Sequence, residues 1–441
     1  MQNKFFCHYY NTSPRGFVDS GSSTMTLLDE FRRIALLRSD KYVTHDEVVR
    51  LPLDQNIFET VNRMAEAYHT TQLKFIIVIG IGGSNLGTKA VYDALRGQCD
   101  FLSETLPKMV FLDTVGVSLI RDLEKILGDN VHYKEEILIN LVSKSGATTE
   151  SIVNFEVLMA YLMERIDDVE SRVVCTTDED SNLWNLAKQK HYGLLAIPKM
   201  IGGRFSVFSA VGLFPLVVSG IDIVSLRQGA ADMLALCIGG DSGNQHARRA
   251  AEILFGEMMA GTSMLNIFHF TPELESLGKW ERQLIAESLG KEKDISGKVV
   301  HAGITPIVSI GSTDLHSMAQ LYFGGPRDKF TMLIKTENTF PIKIPNDGLF
   351  DGLVSGIAGK ITEDIMGAIY QGVMGAYRKN ALPFAEVGLS TLSPHTIGAY
   401  MQWRILTVIH LAMLMHVNPY DQPSVEDYKE GTRRTLQNLH N

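Results

Sequence analysis

Cysteine is scarce, and its scarcity restricts the chemistry. The four thiols, Cys7, Cys99, Cys175 and Cys237, stand far apart with no C-x-x-C spacing. Neither a zinc knuckle nor a disulfide framework is encoded, and reduced thiols of the cytoplasm are expected. Positive charge is also short: 41 Lys and Arg against 50 Asp and Glu give a formal net charge of −9. No basic block offsets it locally, which argues against nucleic acid as a partner. Metal-ligand spacing is missing too. None of the 13 histidines falls in H-E-x-x-H or H-x-x-E-H, and His410 and His416 do not share a helical face, so no metal and no other cofactor is expected. The N-terminal MQNKFFCHYYNTSPRG has neither the apolar core of a signal peptide nor an Arg-rich, acid-poor transit composition, and a cytoplasmic protein is expected. The longest uncharged stretch, Phe205 to Ile221, is interrupted by Ser206, Ser209, Gly212, Pro215 and Ser219. It reads as a buried helix rather than a membrane span, and no membrane partner is expected.

What is present is an ordinary globular composition, 45% hydrophobic and 21% charged over 441 residues, enough for two or three domains with large cores. Residues 1–70 read as a helical N-terminal segment, with amphipathic patterning around Leu27 to Leu37 and Val48 to Met64. Five short aliphatic runs follow between residues 71 and 224: Phe75 to Ile79, Met109 to Asp113, Ile137 to Val142, Arg172 to Thr176 and Leu194 to Pro198. Helical-period stretches separate them, the pattern of a parallel sheet covered on both faces. Helical pattern then dominates to about Gly261. A second alternation, within 225–418, places runs at Met264 to Phe268, Thr305 to Ile310, Phe330 to Lys335 and Phe384 to Leu389. Long helical segments are expected over Asp351 to Ala376 and Thr396 to Val417. The reading is α/β: two doubly wound parallel-sheet lobes in tandem, flanked by helical N-terminal and C-terminal segments, the latter (419–441) a charged helix. No low-complexity linker divides the lobes, so a site between them is expected.

Two loops stand out chemically. Ser143 to Ser151, SKSGATTES, directly follows the run Ile137 to Val142 and places five hydroxyls and Lys144 at a strand-to-helix turn. Hydroxyls and free N–H groups at a helix start donate to phosphate oxygens; an ordinary Ser/Thr-capped turn fits the same residues. Gly80 to Gly87, GIGGSNLG, follows the first run. It is neither a dinucleotide fingerprint, because Asn85 stands where Gly is needed, nor a Walker A loop, because Thr88 intervenes before Lys89. Its glycines permit close backbone approach, with the Ser84 hydroxyl beside them.

Together GIGGSNLG, SKSGATTES, GGRFS (Gly202 to Ser206), ESLGK (Glu287 to Lys291), GSTDLHS (Gly311 to Ser317) and YDQPSVEDYK (Tyr420 to Lys429) resemble the glucose-6-phosphate isomerase family, in its order and from about residue 75 to 430. The first two motifs mark the wider sugar-isomerase (SIS) domain superfamily, which includes phosphosugar-binding regulators; the last four narrow it to the isomerase. The chain departs from the family's usual pattern at Ser151, Leu289 and Ser424. The resemblance implies two five-stranded SIS lobes and a homodimer with shared active sites. It also implies interconversion of glucose 6-phosphate and fructose 6-phosphate in glycolysis and gluconeogenesis, by ring opening and proton transfer through a cis-enediol.

Residue roles follow from the same resemblance. Glu287, four residues after Gln283 on one face of a predicted helix, becomes the catalytic base and Gln283 a substrate contact. Arg204 becomes the group that stabilises the enediolate, and His316 and Lys429 open the ring. Substrate contacts fall on Gly83, Ser84, Ser143, Lys144, Ser145, Thr148, Gly203 and Gln422. A regulator that binds phosphosugars without turnover is the rival from another class, and the presence of Glu287, Arg204, His316 and Lys429 discriminates against it. Mannose 6-phosphate as an additional substrate stays open, because discrimination at C2 depends on side-chain placement.

Overall fold

The computed structural model describes residues 5–13, 23–37, 39, 41–239, 245–337, 341–350 and 352–439. Strand β1 (Phe6–Tyr10) opens the chain. Five strands then build the first sheet: β2 (Phe75–Ile79), β3 (Lys108–Leu112), β4 (Ile137–Val142), β5 (Val173–Thr177) and β6 (Gly193–Ala196), in the order β3-β2-β4-β5-β6 and parallel throughout. Every residue of β4 and β5 is buried, as expected of strands covered on both faces. The polar residue inside β4, Asn140, donates to the Val174 carbonyl and the Thr176 hydroxyl at 3.1 and 3.0 Å.

In the second lobe β7 (Met264–His269) leads into the helix Glu275–Leu289. A short hairpin of β8 (Lys291–Lys293) and β9 (Val299–Ala302) follows, then β10 (Thr305–Ile310), β11 (Lys329–Thr336) and β12 (Phe384–Leu389). The sheet order is β1-β12-β11-β7-β10, four strands parallel and β1 antiparallel along β12. A Cβ on Gly388 would lie 2.0 Å from the Phe6 ring, so that glycine admits the N-terminal strand.

Three expectations need correction. The N-terminal segment is not wholly helical, since β1 joins the second sheet from outside that lobe's own sequence; residues 1–4 and 14–22 lie outside the described residues. Val48 to Met64 is not one helix: Pro52 ends the 3-10 stretch His45–Leu53, and Asp54 caps a new helix, Gln55–Tyr68, by accepting from the Ile57 amide at 2.9 Å. The helix expected from Asp351 begins only at Thr362 and runs to Lys379. Asp351 itself lies outside the described residues, and Gly352, Gly356 and Gly359 all take positive φ ahead of the helix, which helical backbone does not allow.

The core is continuous between the lobes, with one cluster joining Val78 and Val91 to Phe205, Leu284 and Trp403. Its axis is the helix Pro394–Leu414, sixteen of whose residues are buried. Among the described residues this is also the one helix long and apolar enough to cross a membrane, and its burial accounts for that composition. Phe205 to Ile221 is buried as expected, as a 3-10 turn Gly203–Phe208 followed by the helix Ala210–Val218. Inside the core Arg404 pairs with Glu281 at 2.7 Å, their side chains 2% and 0% exposed, and Tyr400 donates to the same carboxylate. This ties Pro394–Leu414 to Glu275–Leu289, the helix that carries Gln283 and Glu287.

Candidate active site

At the carboxyl end of β4 the chain turns at Ser143, which is buried, and its hydroxyl pairs with that of Thr148 at 2.9 Å. Gly146 takes φ +68°, and a Cβ there would meet Leu183 and Ser181 at 2.8 and 2.9 Å. The helix Thr149–Met163 starts directly behind, so its free amides lie beside the hydroxyls of Ser145 and Thr148. Lys144 reaches over to the Lys199 carbonyl at 2.8 Å. Burial lowers the pKa of its ammonium, Asp178 opposes that shift and Arg204 adds to it; an arriving anion would relieve the cost.

The turn after β2 abuts this loop, for a Cβ on Gly80 would lie 3.0 Å from the Val142 carbonyl oxygen. It also presses on the GGRFS turn. A Cβ on Gly83 would come within 2.1 Å of the Gly203 carbonyl carbon and 2.4 Å of the Arg204 nitrogen, so only glycine lets these backbones meet. On the other side Gly82 faces Gln283, whose amide nitrogen would lie 3.0 Å from an added Cβ.

Arg204 stands where these loops converge, its side chain 1% exposed. It donates to Ser288 Oγ at 2.8 Å, Gln422 Oε1 at 2.6 Å, Glu287 Oε2 at 3.1 Å and the Asp421 carbonyl at 3.1 Å, and also to the Pro419 carbonyl. Burial lowers its pKa and Glu287 opposes the shift; a guanidinium remains charged in any case. Gln283 donates to the other Glu287 oxygen at 2.9 Å. The Glu287 side chain is 31% exposed and faces a cleft of about 1030 Å³ lined also by Lys291, Asp421 and Gln422. A carboxylate held by two donors, open on one side and backed by a buried cation, is suited to taking a proton next to a developing oxyanion.

Ten of the thirteen sequence-predicted residues are therefore grouped around Arg204: Gly83, Ser84, Gly203, Gln283, Glu287 and Gln422 beside it, with Ser143, Lys144, Ser145 and Thr148 on the adjoining loop. His316 and Lys429 are not with them. The helix Glu275–Leu289 runs back along its sheet, so that Gly278 packs on Val308 near the end of β10 while Gly290 packs on Gly303 before its start. Glu287 thus sits near the amino ends of the second sheet. His316 lies exposed beyond the carboxyl end of β10, and Glu275 to Glu287 alone spans about 18 Å of helix. Lys429 pairs with Glu426 at 2.7 Å on the helix Glu426–Asn438, which buries none of its described residues. Sequence reasoning gave no role to Ser288 and Lys291, although both lie in ESLGK. Lys291 is buried and bridges the Glu287 carbonyl at 2.9 Å to Asp421 Oδ1 at 2.9 Å; burial lowers its pKa and Asp421 opposes the shift. Among the described residues no group of three or more His, Cys, Asp or Glu is arranged to hold a metal ion.

A hydroxyl-rich strand-to-helix turn at the carboxyl end of a parallel sheet, adjoining a carboxylate paired with a buried guanidinium, is the arrangement of α/β proteins that act on small phosphorylated metabolites. Comparison with known proteins narrows the class. The family model for phosphoglucose isomerase matches residues 53–441. A glucose-6-phosphate isomerase of Lactobacillus delbrueckii subsp. bulgaricus is 31% identical over 384 residues, covering 86% of this chain and 83% of the relative. That of Lactobacillus johnsonii is 32% identical over 395 residues, covering 87% and 84%. The crystal structure of a hypothetical protein from Thermus thermophilus has a TM-score of 0.84 at 28% identity, covering 98% of this chain and all of that one. A glucose-6-phosphate isomerase from Chlamydia trachomatis shares the fold, with a TM-score of 0.77 at 20% identity over 95% of this chain and 85% of that one. The chain belongs to the phosphoglucose isomerase family.

Proposed function

We propose that this chain catalyses the reversible isomerisation of glucose 6-phosphate and fructose 6-phosphate, the reaction that its curated relatives are named for, and that it does so at the Arg204–Glu287 pair. The observation that carries the assignment of the site is the half-open Glu287 carboxylate held at 3.1 Å by a buried Arg204, beside the Ser143–Thr148 loop. In this reading the phosphate is held by the hydroxyls of Ser84, Ser143, Ser145 and Thr148 and by Lys144, with Gly83 and Gly203 allowing the backbone to approach. Glu287 takes the proton from C2 of the open-chain aldose; that electron pair forms the C1–C2 double bond while the C1 carbonyl π pair moves to O1, giving a cis-enediolate. Transfer of the O2 proton to O1 and return of the proton from Glu287 to C1, as the C1–C2 π bond gives way to the C2 carbonyl, yield the ketose. Arg204 stabilises the negative charge on the intervening oxygen, while Gln283 and Gln422 orient the base and the sugar.

By the family resemblance His316 of the partner subunit and Lys429 open the sugar ring, although in the single chain Lys429 pairs with Glu426 and is not grouped with Arg204. The separation of His316 from Glu287 along β10 supports a homodimer with shared sites, in which a two-fold axis supplies each site twice. Four free thiols support a reducing, cytoplasmic setting. The test is a coupled assay offering glucose 6-phosphate, fructose 6-phosphate and mannose 6-phosphate separately. Turnover of the first two establishes the assignment, turnover of the third widens it, and stoichiometric binding without turnover would replace it with a phosphosugar-binding role.

A further inference from the structure

The segments that enclose Arg204 are themselves held by residues outside the stretch that the family model matches. Two backbone segments form its cage: Met200 to Gly203 leads into it, and Pro419 to Gln422 supplies three of its acceptors, the carbonyls of Pro419 and Asp421 and the Gln422 side chain. Both segments are gripped by one short piece of chain at residues 45–46, ahead of the matched residues 53–441. His45 Nδ1 donates to the Met200 carbonyl at 2.6 Å, which places the ring proton on that nitrogen. The same ring stacks on Tyr420, with centroids 5.3 Å apart and planes 18° from parallel. Asp46 Oδ1 accepts from the Tyr420 hydroxyl at 2.5 Å, and Tyr420 packs against Phe205, next to Arg204 in sequence, at 5.6 Å. Asp46 also lines the cleft that Glu287 faces.

We propose that His45 and Asp46 are positioning residues for catalysis: by clamping Tyr420 and the Met200 carbonyl they hold both walls of the Arg204 cage, and so set where the guanidinium meets the developing enediolate. The proposal rests on the isomerase reading above. The hydrogen bonds of His45 and Asp46 run to Met200 and Tyr420, so their effect falls on turnover more than on phosphate affinity. Loosening a preorganised donor through a neighbour costs less than removing the donor itself, because the guanidinium keeps its charge and most of its partners.

The test uses the full-length enzyme. Asp46→Ala and Tyr420→Phe each remove the hydroxyl–carboxylate bond, and Tyr420→Phe keeps the aromatic stack; His45→Phe keeps the stack and removes the donor to Met200. Each is expected to lower kcat about 3- to 10-fold, the worth of one such hydrogen bond, with KM within about twofold of the parent. The discriminating measurement repeats Asp46→Ala and Tyr420→Phe in an Arg204→Lys background. A residue that acts through the guanidinium has no further effect once it is gone, whereas a merely structural residue lowers kcat by the same factor in both backgrounds. Unchanged kcat in Asp46→Ala and Tyr420→Phe, or equal losses in both backgrounds, would overturn the proposal and leave the isomerase reading standing. Wild-type kcat in Arg204→Lys would overturn the proposal together with the role given to Arg204, and absence of turnover by the parent enzyme would overturn the isomerase reading itself.

Discussion

Replacing Glu287 by Gln isolates the proton-transfer step, because the structure predicts that little else changes. The carboxylate accepts from Arg204 at 3.1 Å and from Gln283 at 2.9 Å. A glutamine amide can turn its oxygen to Arg204 and its nitrogen to Gln283, whose own amide oxygen is buried and without a hydrogen-bond partner, so a flip of Gln283 restores the pairing. Arg204 keeps its bonds to Ser288, Gln422 and two backbone carbonyls. What is lost is one charge in a half-open position, worth up to about 2 kcal/mol of stability. The catalytic loss is larger, since an amide cannot accept the C2 proton. General-base catalysis contributes ~10² to 10⁴ in rate, or about 2.7 to 5.4 kcal/mol of transition-state stabilisation. The coupled assay should therefore show kcat down at least ~100-fold with KM nearly unchanged, because the anion loop is untouched. Exchange of the substrate C2 hydrogen with solvent, followed by NMR in D2O, should fall in parallel. A folded Glu287→Gln protein with kcat within tenfold of the parent would refute the assignment of the base.

Other outcomes test the remaining parts. If His316 and Glu287 of one site come from different subunits, mixing the weak mutants Glu287→Gln and His316→Ala under demonstrated subunit exchange should restore roughly a quarter of all sites; exchange without rescue would reject the shared site. Gly83→Ala drives a Cβ to 2.1 Å from the Gly203 carbonyl carbon, so both turns must part at a cost of about 1 to 3 kcal/mol. The thermal midpoint should fall and activity with it, and an unaffected enzyme would contradict the observed approach. His269 and His410 are fully buried, and burial pushes each ring down to about 3 from the ordinary 6.5. Between those values the unfolded chain binds the protons that the fold refuses. Stability is therefore fully present above about pH 6.5 and lost as pH falls towards 3, by up to ~1.4 kcal/mol per unit for each ring. Urea midpoints measured across this range should show a shallower acid loss in His410→Gln; an identical slope would refute the linkage. Exhaustive chelation should leave kcat intact, and loss restored by one divalent ion would contradict a site held by hydroxyls and Lys144.

The sequence by itself determined the strands, since near-continuous aliphatic runs such as Ile137–Val142 can be buried on both faces in one way only, and the alternation with helical stretches dictates a parallel sheet. It also marked where the candidate anion loop begins, because five hydroxyls and Lys144 follow a buried strand there. Local pattern failed where a single residue overrode it, as at Pro52 and at the glycines before Thr362. It failed again where partners are distant: nothing in FCHYY announces that Phe6–Tyr10 will extend the sheet at β12, 374 positions later at its nearest register pair.

Only the tertiary structure decided the environment of each site residue. In sequence Arg204 is one arginine after two glycines; its burial and its partners at Ser288, Pro419, Asp421 and Gln422 arise because the Gly83 turn, the end of the helix Glu275–Leu289 and the segment Pro419 to Gln422 all pack onto it. The structure also decided that Glu287 lies at the amino end of the second sheet and His316 beyond its carboxyl end, a separation set by the direction in which Glu275–Leu289 runs back along β10. Likewise His45 and Asp46 carry no local signal, and their grip on Tyr420 follows from packing across the whole chain. Local sequence encodes which groups are present and what backbone they favour, whereas charge state, distance and partner are properties of the packed core.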